Sequence, residues 1–425
     1  MPTLSVAPDG SHLVRDGVFF PYLADTAWSA FADATEAEWV HYLRTRARQG
    51  FTSVAISVLP ILHDRSVRSD AREPFATDEA GHYDFTRPDP AYFTLARRFV
   101  ELAVERGIVP TLVVLWCNYV EGTWGADLTP WAVMPAAERE SYLTLVADTF
   151  APLSPILAIS GDDRFDAEPA HQTYLAALDQ LSRQAPDCLL TAHSAPTAVM
   201  WDDVADSAHL DFFLYQSGHD PDPRRCWELA QRYRRRSVRK PVINVEPPYE
   251  RHGYGGGQGR FTAADVRYAS WASILAGASA GVGYGAHGIW QWHREGGAFT
   301  NESFSMEPFP WPSALQFRGA DDIGLLGDLL IRHRLHRLDS AQHLLAEDSS
   351  GVRCGAGADE EVIAVYRPFA KRVLLARDLS AYAISAWDLE RRAPIVVRPV
   401  VSDGGTLIEQ PDVIGDFLLV CERRA

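Results

Sequence analysis

A (β/α)₈ TIM barrel followed by a C-terminal antiparallel β-sandwich is the α/β architecture predicted for this 425-residue chain, and three observations carry the prediction. From about residue 19 short apolar runs alternate with amphipathic stretches, the pattern of successive βα units around a parallel sheet. Eight such runs can be counted before residue 290, the number that closes a barrel. Beyond residue 337 the pattern changes to β-rich segments separated by Gly, Asp and Pro, as in an all-β sandwich. The expected organisation is an N-terminal hairpin over 1–18, a barrel over 19–337 and a sandwich over 338–425.

The elements follow in order. Turns at Asp9-Gly10 and Asp16-Gly17 predict a small hairpin that either caps the barrel floor or joins the sandwich. Barrel strands are expected over 20–25, 51–59, 109–116, 156–161, 189–193, 212–216, 241–246 and 281–289. Between them, helices are expected over 35–49, 90–106, 136–150, 167–185, 223–236 and 262–278, with a further helix over 311–336. The first opens with Thr35 and, three residues on, Glu38, a spacing at which each side chain satisfies the other residue's free backbone N–H. Sandwich strands are expected over 361–366, 372–376, 383–387, 395–400 and 417–421. The sequence has no internal repeat.

Composition narrows the function. Forty basic against fifty-six acidic residues give a net charge of −16, which disfavours nucleic acid or an anionic membrane as partner and fits a neutral small molecule or oligosaccharide. Twelve Trp and fifteen Tyr supply core, and aromatic faces of the kind that pack on sugar rings. Cys117, Cys188, Cys226, Cys354 and Cys421 are odd in number and dispersed, so they read as buried free thiols rather than a disulfide framework or zinc cluster. The N-terminus lacks a basic region followed by an apolar run, so a soluble, cytoplasmic protein is expected, with homo-oligomerisation left open.

Chemistry is expected where barrel strands end, because the loops there build the site. Lys240-Pro241-Val242-Ile243-Asn244-Val245-Glu246-Pro247-Pro248 delivers a carboxylate into a proline stop, and Pro155-Ile156-Leu157-Ala158-Ile159-Ser160-Gly161-Asp162-Asp163, earlier in the barrel, is a second such run that also ends in carboxylates. Two carboxyl groups at strand ends are what glycoside hydrolysis requires. Counting alternate residues sends Val242, Asn244 and Glu246 into the barrel, with Ile243 and Val245 packing on helices. The same count selects Asp162, with Ala158 and Ser160, over Asp163. Further candidates at strand ends, for holding substrate, are Asp25, Trp28, Trp116, Asn118, His193, Tyr215, Gln216, His219, Tyr284, His287, Trp290 and Gln291. His287 and His293 raise the question of a metal, but the first strand ends in Ala24-Asp25-Thr26 without a His-x-His pair, so neither metal nor cofactor is expected. The cluster Gly253-Tyr254-Gly255-Gly256-Gly257 lacks the Lys-Ser/Thr of a phosphate loop and reads as a mobile loop beside the site.

Several of these segments resemble the apiosidase-like glycoside hydrolases of clan A, a bacterial group whose C-terminal β-sandwich is labelled a collagen-binding domain. They are His12-Leu13-Val14, the run from Phe20 to Trp28, Ile159-Ser160-Gly161-Asp162, Tyr215-Gln216-Ser217-Gly218-His219, Glu246-Pro247-Pro248-Tyr249-Glu250 and the run from Gly285 to Gln291. In the tail, Asp378-Leu379-Ser380 and Ala386-Trp387-Asp388 look like the family's sandwich. The resemblance implies a barrel with its acid/base Asp after the fourth strand and its nucleophilic Glu after the seventh, roles that fall on Asp162 and Glu246. It also implies a retaining, exo-acting hydrolase of a furanoside or related glycan. Departures are Ser160-Gly161-Asp162 in place of Gly-Gly-Asp, and a segment 59–73 that matches no substrate-contact pattern. Two other readings stand beside it: a non-catalytic carbohydrate-binding or adhesion protein, and a metal-dependent hydrolase on the same barrel.

Overall fold

The computed structural model describes residues 4–347, 351–369, 371–402, 404–413 and 415–424. Eight parallel strands form the barrel sheet: β1 Tyr22–Thr26, β2 Ser53–Ser57, β3 Val109–Val113, β4 Ile156–Ala158, β5 Leu190–Thr191, β6 Phe213–Gln216, β7 Val242–Glu246 and β8 Gly281–Tyr284. Their order around the sheet is β5-β4-β3-β2-β1-β8-β7-β6. A single bridge from His193 to Leu214 links the two ends. At the same seam Asp211 accepts from the Leu190 N–H at 2.7 Å, and the Thr191 hydroxyl donates to Phe212 O at 2.8 Å. Side chains thus complete a seam that the ladder leaves thin.

Helices cover the outside as the alternation predicts. Glu36–Arg48 begins with the reciprocal Thr35–Glu38 capping box, and Ala263–Ile274 with another made by Thr262 and Asp265. The helix expected over 311–336 divides into Trp311–Ala314 and Gly319–Arg332. The N-terminal segment is a three-stranded antiparallel sheet, Leu4–Val6, Leu13–Arg15 and Val18–Phe19. It lies on the barrel floor, where Arg15 donates to Gly107 O and Phe19 stacks on His336.

The direction of each barrel side chain follows from its contacts. Tyr22 donates or accepts across the interior with Thr111 at 2.9 Å and meets the Phe212 ring, so its row points inward. In register with Tyr22 lie Gly281 and then Ile243. Ile243 therefore points inward, and Asn244 outward, where its amide donates to Ser273 on the helix Ala263–Ile274 at 2.9 Å. The alternation expected for β7 is thus reversed. Glu246 still reaches the mouth, because the register slips after Asn244: Tyr215 pairs with Asn244, but Gln216 pairs with Glu246. Val245 is the extra residue of this bulge, and a bulge re-aims the side chain that follows it. Gly283 makes room for it, since a Cβ there would stand 1.7 Å from Val245 O.

The C-terminal domain packs a six-stranded antiparallel sheet against a three-stranded one. The larger contains Val362–Arg367, Phe417–Arg423 and Tyr382–Asp388; the smaller contains Val373–Leu375, Gly405–Ile408 and Pro399–Ser402. Apolar side chains including Ile363, Val365, Leu375, Ile408, Phe417 and Leu419 fill the space between. A buried ionic cluster joins this domain to the barrel. Arg267, on the helix Ala263–Ile274, donates through Nε and Nη2 to Asp416 at 2.7 Å each and through Nη1 to Asp322 at 2.7 Å. Tyr366 donates to Asp416, and Arg392 to Asp322, both at 3.0 Å.

Removing one member of such a cluster leaves its partners charged and buried. Arg267→Ala is expected to destabilise the protein by about 3–5 kcal/mol, measured as the urea-unfolding free energy. An unchanged midpoint would mean the cluster is not what ties the domains together.

Candidate active site

A cavity of ≈ 600 Å³ opens at the C-terminal ends of the barrel strands, lined by Trp28, Trp116, Trp290, Tyr249, Asp64, Asp162, Gln216, His219 and Glu246 among others. Its size and mixture of aromatic walls with convergent polar groups are those of a small-molecule site.

Glu246 ends β7 with its carboxylate between two imidazoles. His219 Nε2 lies 3.1 Å from Oε1. His193 Nε2 lies 3.2 Å from Oε2, as a close ionic approach without the alignment of a formed hydrogen bond. Backbone amides set both rings. The N–H of Asp162 donates to His193 Nδ1 at 3.0 Å, and the N–H of Tyr249 to His219 Nδ1 at 3.4 Å. Each Nδ1 accepts, so each Nε2 carries the proton it presents to Glu246. Burial by itself raises the Glu246 carboxyl, but the imidazoles of His193 and His219 outweigh burial and hold it far below the usual carboxylate range. Glu246 is an ionised carboxylate in a buried position.

Asp162 stands in the opposite condition. Burial, followed by repulsion from Glu246, Asp64 and Asp163, pushes its carboxyl well above the ordinary range, with only Arg164 opposing. Its Oδ1 is buried with no hydrogen-bond partner in the protein. The residue sits at φ 53°, a left-handed backbone that Asp tolerates better than most and that concentrates at functional sites. Gly161 before it is required by close approach, since a Cβ would lie 2.4 Å from the Trp116 ring. Asp163 turns away, accepting from the Phe165 N–H at 2.6 Å and from the Tyr174 hydroxyl at 3.3 Å. Two neighbouring carboxyl groups, one held far below the ordinary range and one pushed well above it, are the equipment of acid/base chemistry.

Of the other candidates from sequence, Trp28, Trp116, Gln216, His219 and Trp290 line the cavity, and His193 touches Glu246 from beneath it. Six others do not reach it. Asp25 lies on the outer face of β1, bound to Arg46 Nε at 2.6 Å and to the Tyr42 hydroxyl at 2.8 Å. Tyr284, in register beside it, donates outward to Glu250 at 2.8 Å. Tyr215 likewise faces helix Arg225–Arg234 and donates to Cys226 O. These three have outward parity. His287 is engaged with Met306 O at 2.8 Å, and Gln291 Oε1 accepts from the Gly288 N–H. Asn118 braces the wall from behind, accepting from His63 Nδ1 at 3.0 Å and donating to Thr129.

Sequence reading missed Asp64, His63, Trp124, Tyr249 and Phe304 in the lining. Asp64 and His63 sit in the long segment after β2, which no strand periodicity reaches. Tyr249 stood in plain view three residues after Glu246. The glycine cluster forms a short hairpin, Gly253–Tyr254 with Gly259–Arg260. Among the described residues no group of three or more His, Cys, Asp and Glu is arranged to hold a metal ion, and no helix is long and apolar enough to cross a membrane.

Comparison with known proteins agrees with this geometry. A family model described as "Apiosidase-like, catalytic domain" matches residues 8–336. No curated protein matches the chain by sequence. Among solved structures, a glycoside hydrolase family 5 protein from Bacteroides vulgatus superposes with a TM-score of 0.81 at 20% identity, covering 99% of this chain and 93% of that one. A structure described as a glycoside hydrolase gives 0.81 at 18% identity over 99% and 97% of the two chains. A family 5 mannosidase from Rhizomucor miehei gives 0.51 at 12% identity over 79% of this chain and 100% of that one. At such identities the likeness is one of fold.

Asp25 and Gln216 should separate structure from site. Asp25→Asn weakens the charge opposite buried Arg46 and is expected to lower stability by about 3–5 kcal/mol while leaving the folded protein's ligand affinity unchanged. Gln216→Ala should lower the unfolding free energy by only about 1 kcal/mol but weaken binding in the cavity. Chemical denaturation and calorimetric titration read the two effects independently.

Proposed function

From the premise that the chain belongs to the apiosidase-like family of glycosidases, we propose that it is a retaining, exo-acting glycoside hydrolase of a neutral furanoside or oligosaccharide. The observation that carries this reading is the pair of carboxyl groups pushed in opposite directions in one aromatic cavity, Glu246 down and Asp162 up.

The mechanism follows from those states. Glu246 attacks the anomeric carbon, and Asp162 protonates the departing glycosidic oxygen as its bond breaks. The carboxyl proton moves to the leaving group, and a covalent glycosyl ester forms on Glu246. Asp162, now ionised, takes a proton from water, which attacks the anomeric carbon of the ester, breaking its bond to Glu246 and returning Glu246 as a carboxylate. The imidazole N–H groups of His193 and His219 hold the attacking oxygens in place and stabilise their charge before reaction and after release. Trp28, Trp116 and Trp290 offer faces to the sugar, and Phe304, 57% exposed at the rim, offers a surface to the aglycone.

Aryl pentofuranosides and hexosides incubated with wild type should include one that is hydrolysed, with release of phenol and retention of anomeric configuration by NMR. Glu246→Gln should lower kcat by at least about 10³-fold, and Asp162→Asn by about 10²–10⁴-fold. Full activity of Glu246→Gln would sink the mechanism. Failure of the whole panel, together with glycan binding on an array, would favour a non-catalytic carbohydrate-binding protein.

The pH dependence has a definite sign. Activity needs Glu246 ionised and Asp162 protonated, so the acid limb of kcat/KM lies at very low pH and the rate falls as pH rises through the elevated Asp162 pKa. Asp162→Asn is expected to abolish the alkaline limb on an activated aryl glycoside. Persistence of that limb would assign it to another group.

A further inference from the structure

Asp64 has no part in the chemistry assigned to Glu246 and Asp162, yet it lines the same cavity. Its Oδ1 is buried without a hydrogen-bond partner in the protein. Burial raises its carboxyl, a hydrogen bond from Asn301 opposes this, and the charge of Glu246 adds to it, leaving the group pushed up to about 7. A buried acceptor without a donor is destabilising, and the chain on both sides of this one is held in place. On one side His63 is bonded to Asn118 at 3.0 Å. On the other, the Arg65 N–H donates to Thr300 Oγ1 at 2.9 Å, the Thr300 N–H to Arg65 O at 3.1 Å and the Val67 N–H to Ala298 O at 2.8 Å. Two loops are laced together so that Asp64 faces the cleft.

Unmatched polar atoms cluster in this cavity. Trp116 Nε1 and Trp290 Nε1 are buried donors without acceptors, and Asp64 Oδ1, Asp162 Oδ1 and Gln216 Oε1 are buried acceptors without donors. A ring of hydroxyls, each able to donate and accept, complements such a set. Asp64 acts electrostatically on Asp162 and feels Glu246, which places it beside the sugar whose anomeric carbon those two groups address.

Resting on the glycosidase reading above, we propose that Asp64 is the specificity-determining residue for the glycon, accepting hydrogen bonds from its ring hydroxyls. A carboxylate in that position selects a neutral, hydroxyl-bearing sugar. It disfavours a sugar deoxygenated at the recognised position by leaving Asp64 unmatched.

The probe is the aryl glycoside that wild type hydrolyses, with calorimetric titration of Glu246→Gln alone and combined with Asp64→Ala. The double variant is expected to bind roughly 10–150-fold more weakly, the span of a hydrogen bond to a charged group. The isosteric Asp64→Asn, on an otherwise wild-type enzyme, should raise KM with a smaller change in kcat and leave the alkaline limb of the pH profile in place. One monodeoxy glycoside should bind the single and double variants equally. Equal binding of the parent glycoside by both variants would overturn the proposal. So would an unchanged KM in Asp64→Asn with a displaced alkaline limb, which would make Asp64 a group that tunes Asp162. Undiminished turnover by Glu246→Gln would instead defeat the mechanistic reading, with the role of Asp64 still decided by the affinity difference.

Discussion

A charged carboxylate in a buried position is the constraint on which the site depends. Left alone, Glu246 would be neutral, because burial penalises its charged form. Two imidazole N–H groups reverse that outcome, and both rings are in turn oriented by backbone amides, those of Asp162 and Tyr249. The left-handed backbone that aims Asp162 therefore also turns His193 toward Glu246. The two carboxyl groups are coupled through the main chain as well as through their charges.

His193 does a second thing that only the closed barrel makes visible. Its pairing with Leu214 is the bridge that links β5 to β6, and the Ser160 hydroxyl donates to its carbonyl at 3.0 Å. The residue that clamps Glu246 is thus part of the seam by which the sheet closes, so the geometry of the site and the closure of the barrel stand or fall together. The sandwich contributes at a distance. Its Asp416 and Arg392 bind Arg267 and Asp322 on two barrel helices, and one of those helices carries Ser273, which receives the Asn244 amide of β7.

Periodicity proved a good guide to the architecture and a partial one to the site. The strand count, the capping box at Thr35 and the change to β-rich pattern in the tail follow from local rules, and the structure obeys them. Parity also explains why Asp25, Tyr215 and Tyr284 point to helices: each lies on the outer row of its strand. Applied to β7 the same rule places Asn244 inward, and there it fails. Glu246 reaches the cavity for a different reason, a bulge at Val245 accommodated by Gly283 on the neighbouring strand. A bulge depends on the pairing partner, and the partner of β7 is not written in β7.

The sequence by itself determined what is local: the βα alternation, the helix starts, carboxylates placed at the ends of strands, and a composition suited to a neutral ligand. Tertiary structure alone decided which polar groups share the cavity and in what charge state. Burial, the proximity of Glu246 to Asp162 and Asp64, and the two imidazoles are contacts between segments many residues apart. Desolvation and Coulomb interaction depend on distance in space, and for the loop that carries Asp64 no periodic pattern predicts that distance.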